Sequence, residues 1–206
     1  FYNDKNVMYS DAKRLAKIKH LTICVRDDVS YQIAKENFDN EVRLVPDMAF
    51  HIPLDYINKW RCPQTDKVLY LKRIDKELGS ADITIDSTIL DVCDWPTIDG
   101  RATIGERVFY KSRALYSKTE KKCILHAFAE WLEKELGYFI YRKSMTRRGV
   151  EFVSAYKEVY TTRLHVMILS TLLGKKVHYI DNSYGKLSSF YNTWLKDCDC
   201  VDCFGK

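Results

Sequence analysis

Arg163 and His165 stand two residues apart at the mouth of an eleven-residue run, 161–171, that is otherwise almost wholly apolar and closes in Leu172-Leu173-Gly174. A cation and an imidazole at the entrance of a buried segment cost free energy unless each meets a partner or a ligand. Imidazole is the side chain that moves protons near neutral pH, and a guanidinium fork matches the oxygens of carboxylate or phosphate. The spacing sets a geometric condition. Two positions diverge by about 200° on a helix, whereas on an extended segment they point the same way. For both groups to serve one ligand, 162–165 must be extended, with the helix beginning at or after His165. A second polar cluster, Asn182-Ser183-Tyr184 with Lys186, follows the apolar run 177–180 where another helix begins. Loop amides and a helix N-terminus there make an anion cradle, and a bound anion would explain a lysine in the first turn. The plainer alternatives are a satisfied core histidine, a surface ion pair for Arg163, and an ordinary N-cap by Asn182 or Ser183.

The elements that position these groups follow from hydrophobic pattern. The run at 161–173 is too short to span a bilayer, which needs about 20 apolar residues, and reads as a helix buried on all sides and stopped by Gly174. Residues 21–25, 42–45, 68–71 and 177–180 read as buried strands, expected to share one parallel sheet. Asp27 or Asp28 is a good N-cap for a helix to about Phe38. Ile124, Phe128, Trp131, Leu132 and Leu136 trace one apolar face of a long helix ended by Gly137. A further helix is expected at 148–158, with Val159 inward, and a last one at 186–196. Residues 1–20 carry only a weak helical pattern at 9–19, and 78–118 are the least readable part. Strands alternating with helices mean a doubly wound α/β fold with a mainly parallel sheet, whose ligands lie beyond the carboxyl ends of its strands. The polar groups just after the strands, Arg26, Asp47, Arg73 and Asn182, are therefore site candidates. Arg26 can also pair with Asp27 or Asp47, and Arg73 with Glu77. Asp47 and Asp75 suit orienting arginines better than reacting.

With 206 residues, 46% hydrophobic and 30% charged, the chain suits one large domain or a domain with an appendage. Its net charge of +5 is mild and undivided into blocks, which argues against a nucleic-acid partner and for small anionic ligands or an anionic membrane surface. Seven cysteines form an odd set suited to a reducing compartment. Cys24 reads as a buried strand thiol. Cys198, Cys200 and Cys203 have a C-x-C-x-x-C spacing that could hold zinc with a fourth ligand, but no matching pair occurs elsewhere, so no metal site is expected. No signal peptide or membrane span is visible, and the first residue, Phe1, suggests a piece of a longer chain.

Five motifs then occur in order: R-D-x-x-S-Y at 26–31, V-P-D-M-A at 45–49, L-x-R-x-D-K-E at 71–77, T-x-R-L-H at 161–165 and D-N-S-Y-G-K at 181–186. Together they resemble the polysaccharide pyruvyl transferase family over about 21–195, with 78–145 loosely matched. The resemblance implies the C-terminal half of a GT-B-like two-domain architecture. Residues 1–20 would be a remnant or linker, 21–196 a Rossmann-like donor-binding domain and 197–206 a cysteine-containing tail, with the N-terminal domain missing. It implies phosphoenolpyruvate as donor and co-substrate, with no other cofactor. The acceptor would be a hydroxyl pair on a saccharide or lipid-linked oligosaccharide. The expected location is the cytoplasm, at the inner membrane face if the chain associates peripherally with membrane.

Ketal formation requires protonation of the enolpyruvyl methylene carbon, attack by a hydroxyl, departure of phosphate and closure by a second hydroxyl. His165 suits proton transfer. Arg163 suits both catalysis and donor binding, and Arg26, Asn182, Ser183, Tyr184 and Lys186 suit donor binding, with Asp47, Arg73 and Asp75 as orienting groups. Two other functions remain open from sequence: a nucleotide-sugar glycosyltransferase, and a lone domain kept as a binding module.

Overall fold

The computed structural model describes residues 4–72, 87–95, 104–118, 124–181 and 185–204. Asp4 caps α1 (Lys5–Leu15), and two short strands, β1 (Thr22–Val25) and β2 (Glu41–Leu44), flank α2 (Asp28–Asn37). Asp27 begins α2 as its N-cap, taking the Ser30 amide at 2.8 Å. A 3₁₀ turn (Met48–His51) and α3 (Leu54–Asn58) lead to β3 (Val68–Leu71), then β4 (Leu90–Cys93). Next come α4 (Ile104–Lys118), α5 (Ile124–Leu136), a π-helical turn (Gly137–Tyr141) and α6 (Arg142–Ser154). The chain continues through β5 (Glu158–Thr161), α7 (Leu164–Leu172), β6 (Lys176–Tyr179), α8 (Lys186–Trp194) and β7 (Val201–Cys203).

The strands form two sheets rather than the expected one. β1 and β2 pair parallel by themselves, while β3 and β6 belong to a five-stranded parallel sheet ordered β4-β3-β5-β6-β7. Apolar pattern identifies a strand without saying which neighbour it takes, and β1 and β2 prefer each other. Their sheet is only half-buried, and Cys24, expected in a core, is exposed. The large sheet has the character expected of strands covered on both faces: β3 is buried at all four positions and β5 at three. From β3 the chain goes to one side, to β4, then returns to the other side for β5, β6 and β7. This reversal of direction is the Rossmann-like feature of the fold, and it puts the crevice between the ends of β3 and β5.

Two apolar clusters sit on one face of that sheet. Leu69, Leu71 and Val159 pack against Ile57 of α3, Val150 and Val153 of α6 and Val166 of α7. Val177, Tyr179 and Val201 pack against Met167 and Ile168 of α7 and Leu187 and Phe190 of α8. On the opposite face, Val68, Tyr70, Tyr160 and Ile180 form a third cluster with Leu90 and Phe204. There, too, His178 lies between Glu158 and Asp202, which bond its two ring nitrogens, and stacks on Tyr160 at 4.4 Å.

Several boundaries differ from expectation for physical reasons. The helix expected at 148–158 is α6, which ends at Ser154. Val159 lies in the central strand β5, because the apolar spacing at 152, 153, 156 and 159 fits a helix face and a helix-to-strand junction alike. α5 ends at Leu136, just before Gly137 as expected, but the chain stays helical and passes into the π turn. The glycine is there for close approach, since a Cβ at 137 would stand 2.9 Å from the Phe109 ring. The apolar stripe of α5 also faces outward: Ile124 is 89% exposed, Phe128 53% and Trp131 57%, while His126 and Ala129 are buried. The segment 104–118, unreadable in sequence, is the helix α4 that pairs with α5. The strand β7 lies within the segment set apart at 197–206, and Cys198, Cys200 and Cys203 pack against the second cluster. Among the described residues no three metal-ligating side chains form a group, and no helix is long and apolar enough to cross a membrane.

Candidate active site

β5 ends in Thr161, whose hydroxyl accepts the Arg163 amide at 2.9 Å and so turns the chain out of the sheet. Arg163 is extended, with φ −114° and ψ 123°, and is the N-cap of α7. The expected condition, 162–165 extended with the helix beginning at or after His165, is not met: Arg163 is extended, but the helix begins at Leu164, one residue before His165. The two side chains still line one cavity, because only one of them is on helical backbone. Arg163 carbonyl accepts the Val166 and Met167 amides at 3.1 Å. The first turn of α7 otherwise brings its amides and the positive end of its dipole to the sheet edge.

Arg163 does not point alone into this region. Its guanidinium grips Asp94 in a two-point ion pair, Nε to Oδ1 at 2.6 Å and Nη2 to Oδ2 at 2.5 Å, both side chains about three-quarters buried. Asp94 follows β4, and its Oδ1 also accepts the Trp95 amide at 2.7 Å. Sequence reading passed over Asp94 and Trp95 because they lie in a segment whose strand was not recognised. The strand-end rule that picked out Arg26 and Asp47 would have found them once β4 was seen.

On the other side, Arg26 follows β1 and Asp47 follows β2. Arg26 Nη1 donates to Asp47 Oδ2 at 3.1 Å, and the Arg26 carbonyl accepts the Trp194 indole N–H at 2.9 Å. Asp47 Oδ1 caps the 3₁₀ turn through the Ala49 amide at 3.1 Å, and Oδ2 lies 3.6 Å from His165 Nε2. One carboxylate, 12% exposed, thus faces both Arg26 and His165. His165 itself is 66% exposed, so it is no core histidine.

The carboxyl ends of the two sheets meet at this point. Arg26, Trp95, Thr162, Arg163, His165 and Lys186 line one cavity of about 160 Å³, with Leu164 and Leu187. Four of the expected residues are therefore brought together from β1, β5, α7 and α8. The cradle expected at the start of α8 is filled from within. Asp181 accepts the Leu187 and Ser188 amides at 3.2 Å each, and Gly185 takes a left-handed φ of 67° to let the carboxylate reach them. An anion at this site would therefore meet the side chain of Lys186 and the start of α7 rather than the α8 amides. Arg73, Asp75, Asn182, Ser183 and Tyr184 lie outside the described residues.

The family model described as polysaccharide pyruvyl transferase matches residues 2–184. The chain is 28% identical over 197 residues to the Bacillus subtilis (strain 168) protein named "Putative pyruvyl transferase EpsO", which covers 95% of this chain and 57% of that protein. It is 26% identical over 210 residues to "Pyruvyl transferase 1" of Schizosaccharomyces pombe, covering 96% of this chain and 45% of that one. The chain thus spans about half the length of these curated relatives. In fold it is similar to the crystal structure of an uncharacterised protein of Klebsiella pneumoniae, with a TM-score of 0.55 and 22% identity over 95% of this chain and 59% of that one. With residues 2–184 matched, a stretch that includes Arg26, Arg163 and His165 of the cavity, this chain belongs to the polysaccharide pyruvyl transferase family.

Proposed function

We propose that the cavity binds phosphoenolpyruvate and that the chain is the donor-binding part of an enzyme that moves the pyruvyl group onto two hydroxyls of a saccharide. The parent enzyme would have a GT-B-like architecture, with a second domain closing over this edge. The observation that carries the reading is the convergence of Arg26, Arg163 and Lys186 around His165 in one small cavity beside the start of α7. Fixed cations and a helix N-terminus suit a ligand bearing carboxylate and phosphate on three carbons. A nucleoside diphosphate sugar is far larger than a cavity of about 160 Å³, which favours the small donor.

The chemistry follows from the placement. His165, as imidazolium, gives a proton to the methylene carbon of the enolpyruvyl group, making the methyl group and leaving a carbon with oxocarbenium character. A saccharide hydroxyl attacks that carbon. The bond from carbon to the phosphate oxygen then breaks, and a second hydroxyl closes the ketal. The two hydroxyl protons account for the proton gained by the methyl group and the one carried off with phosphate. Asp47 faces His165 and orients its ring, while Arg163, held by Asp94, and Lys186 balance the charge of the donor and leaving phosphate. Calorimetric titration with phosphoenolpyruvate tests the assignment: one saturable site that is weakened in Arg163→Ala and Lys186→Ala is expected. Absence of binding to the full-length protein would overturn it.

A further inference from the structure

A second cavity, of about 380 Å³, opens beside the first, and the two share the side chains of His165 and Trp95. Ile52, Trp95, Met145, Gly149, Leu169 and Leu172 make most of its wall. Its polar groups besides His165 are Thr146 and Arg148, both partly buried in the middle of α6. Arg148 is fixed from behind: Nη2 donates at 2.8 Å to Glu106, a fully buried carboxylate that also accepts the Ser144 hydroxyl at 2.5 Å. The walls are mainly apolar and aromatic, unlike the neighbouring cavity, where Arg26, Arg163 and Lys186 converge. A ligand with both an apolar face and hydroxyls suits them better than a wholly apolar one, since Thr146, Arg148 and His165 add polar groups to the rim.

We infer that this second cavity takes a pyranose ring of the acceptor saccharide, its C–H face laid against the Trp95 indole and its hydroxyl edge turned to His165. The inference rests on the donor assignment of the neighbouring cavity. A pyranose has one face of C–H groups and a rim of hydroxyls, which matches an aromatic and aliphatic wall with a few polar groups at its edge. The shared histidine gives the arrangement its chemical sense. The attacking hydroxyl and the donor carbon must meet at one place, and His165 is the polar side chain that both cavities present.

Gly149 supplies the test. It lies on α6 without a left-handed φ, and a Cβ there would stand 3.6 Å from the Trp95 ring and 3.8 Å from Leu169. Alanine fits by ordinary contact, whereas a leucine side chain at this position must enter the cavity. The experiment is saturation-transfer NMR of methyl hexopyranosides on the full chain, with phosphoenolpyruvate titrated separately by calorimetry. Ring protons should receive saturation with the wild type and Gly149→Ala, and lose it with Gly149→Leu and Trp95→Ala. Gly149→Leu should keep its phosphoenolpyruvate dissociation constant within about twofold. A folded Gly149→Leu chain, by circular dichroism, that still holds the glycosides overturns the subsite, as does the absence of any glycoside signal with the wild type. A glycoside signal that depends on Gly149 but comes with no phosphoenolpyruvate binding supports the saccharide subsite and overturns the donor reading instead.

Discussion

At the scale of single residues, the site depends on how its charges are held. His165 is exposed and near Asp47, while Arg163 is half of a two-point ion pair with Asp94. These placements separate their expected effects. His165→Ala should lower kcat by roughly 10²–10⁴-fold, as expected for a lost general acid, with the phosphoenolpyruvate dissociation constant little changed. One limb of the pH–rate profile should vanish with it; a variant with full activity and the wild-type profile would assign the proton to another group. Arg163→Ala should weaken donor binding and turnover together, by about 2–5 kcal/mol in kcat/KM, because it removes one partner of a largely buried ion pair that faces the donor. Asp94→Asn is the more telling change. It preserves shape but loosens the fork, so donor affinity should fall about tenfold while a His165-dependent pH limb stays in place. An unchanged dissociation constant would show that Arg163 needs no support from Asp94.

At the scale of elements, packing decides what hydrophobic pattern leaves open. The outward stripe of α5 should be cheap to alter: Phe128→Ser with Trp131→Gln is expected to change the unfolding free energy by less than about 1 kcal/mol. Phe190→Ala, at a fully buried ring stacked on Phe50, should cost about 3–5 kcal/mol. Urea denaturation measures both, and a large loss in the first pair would mean that the stripe is packed. Lys175 makes the opposite case. It follows the left-handed Gly174, is buried, and its ammonium donates to the Gln64 side chain and to the Ser154 and Tyr156 carbonyls at 2.6–2.8 Å. Burial pushes its pKa down. Lys175→Met should cost about 2 kcal/mol, since it leaves three acceptors without a donor where α6 meets β5. A neutral result in the same urea series would sink that account. These elements also show what the sequence could carry. The strands at 68–71 and 177–180, the Asp27 cap and the stop at Gly174 were legible, because each is a local signal of apolar run or turn chemistry. β5 was not recognised, because Val159 also fitted the apolar face of the helix expected at 148–158. That the apolar face of α5 points outward could not be read, because pattern records amphipathy and not which side is covered. In the site, Arg26, Asp47, Arg163, His165 and Lys186 could be named from strand and helix ends, and Asp94 could not be named before β4 was recognised.

At the scale of the whole molecule, the carboxyl ends of a small sheet and a large one meet over one cavity, and the link between them runs through side chains. Asp28 amide donates to Thr193, Ser189 hydroxyl to Asp27, and the Trp194 indole to Arg26 carbonyl, so α8 ties β1 and α2 to the large sheet. Trp194→Phe removes one of these ties and should loosen Arg26, raising the donor dissociation constant a few-fold while the melting temperature moves by only a few degrees. A titration identical to wild type would show that Arg26 is placed by Asp47 alone.

The central pairing of the large sheet has a further consequence, for the order in which the chain assembles. β3 and β5 lie side by side, yet Leu71 and Thr161 are 90 residues apart in sequence, and the pairing is parallel, so no hairpin can start it. Closing so long a loop costs entropy before any contact repays it, and sheets joined in this way fold slowly. The hairpin of α4 and α5 lies inside that loop and is made of contacts between sequence neighbours. It should therefore form within the first collapse, shortening the free chain between the two strands. In stopped-flow refolding, far-ultraviolet helical signal should appear before the burial of Trp60 and Trp95, and Val159→Ala in β5 should slow the second phase more than the first. Simultaneous phases with equal sensitivity to that substitution would mean that the sheet forms as early as the hairpin it encloses.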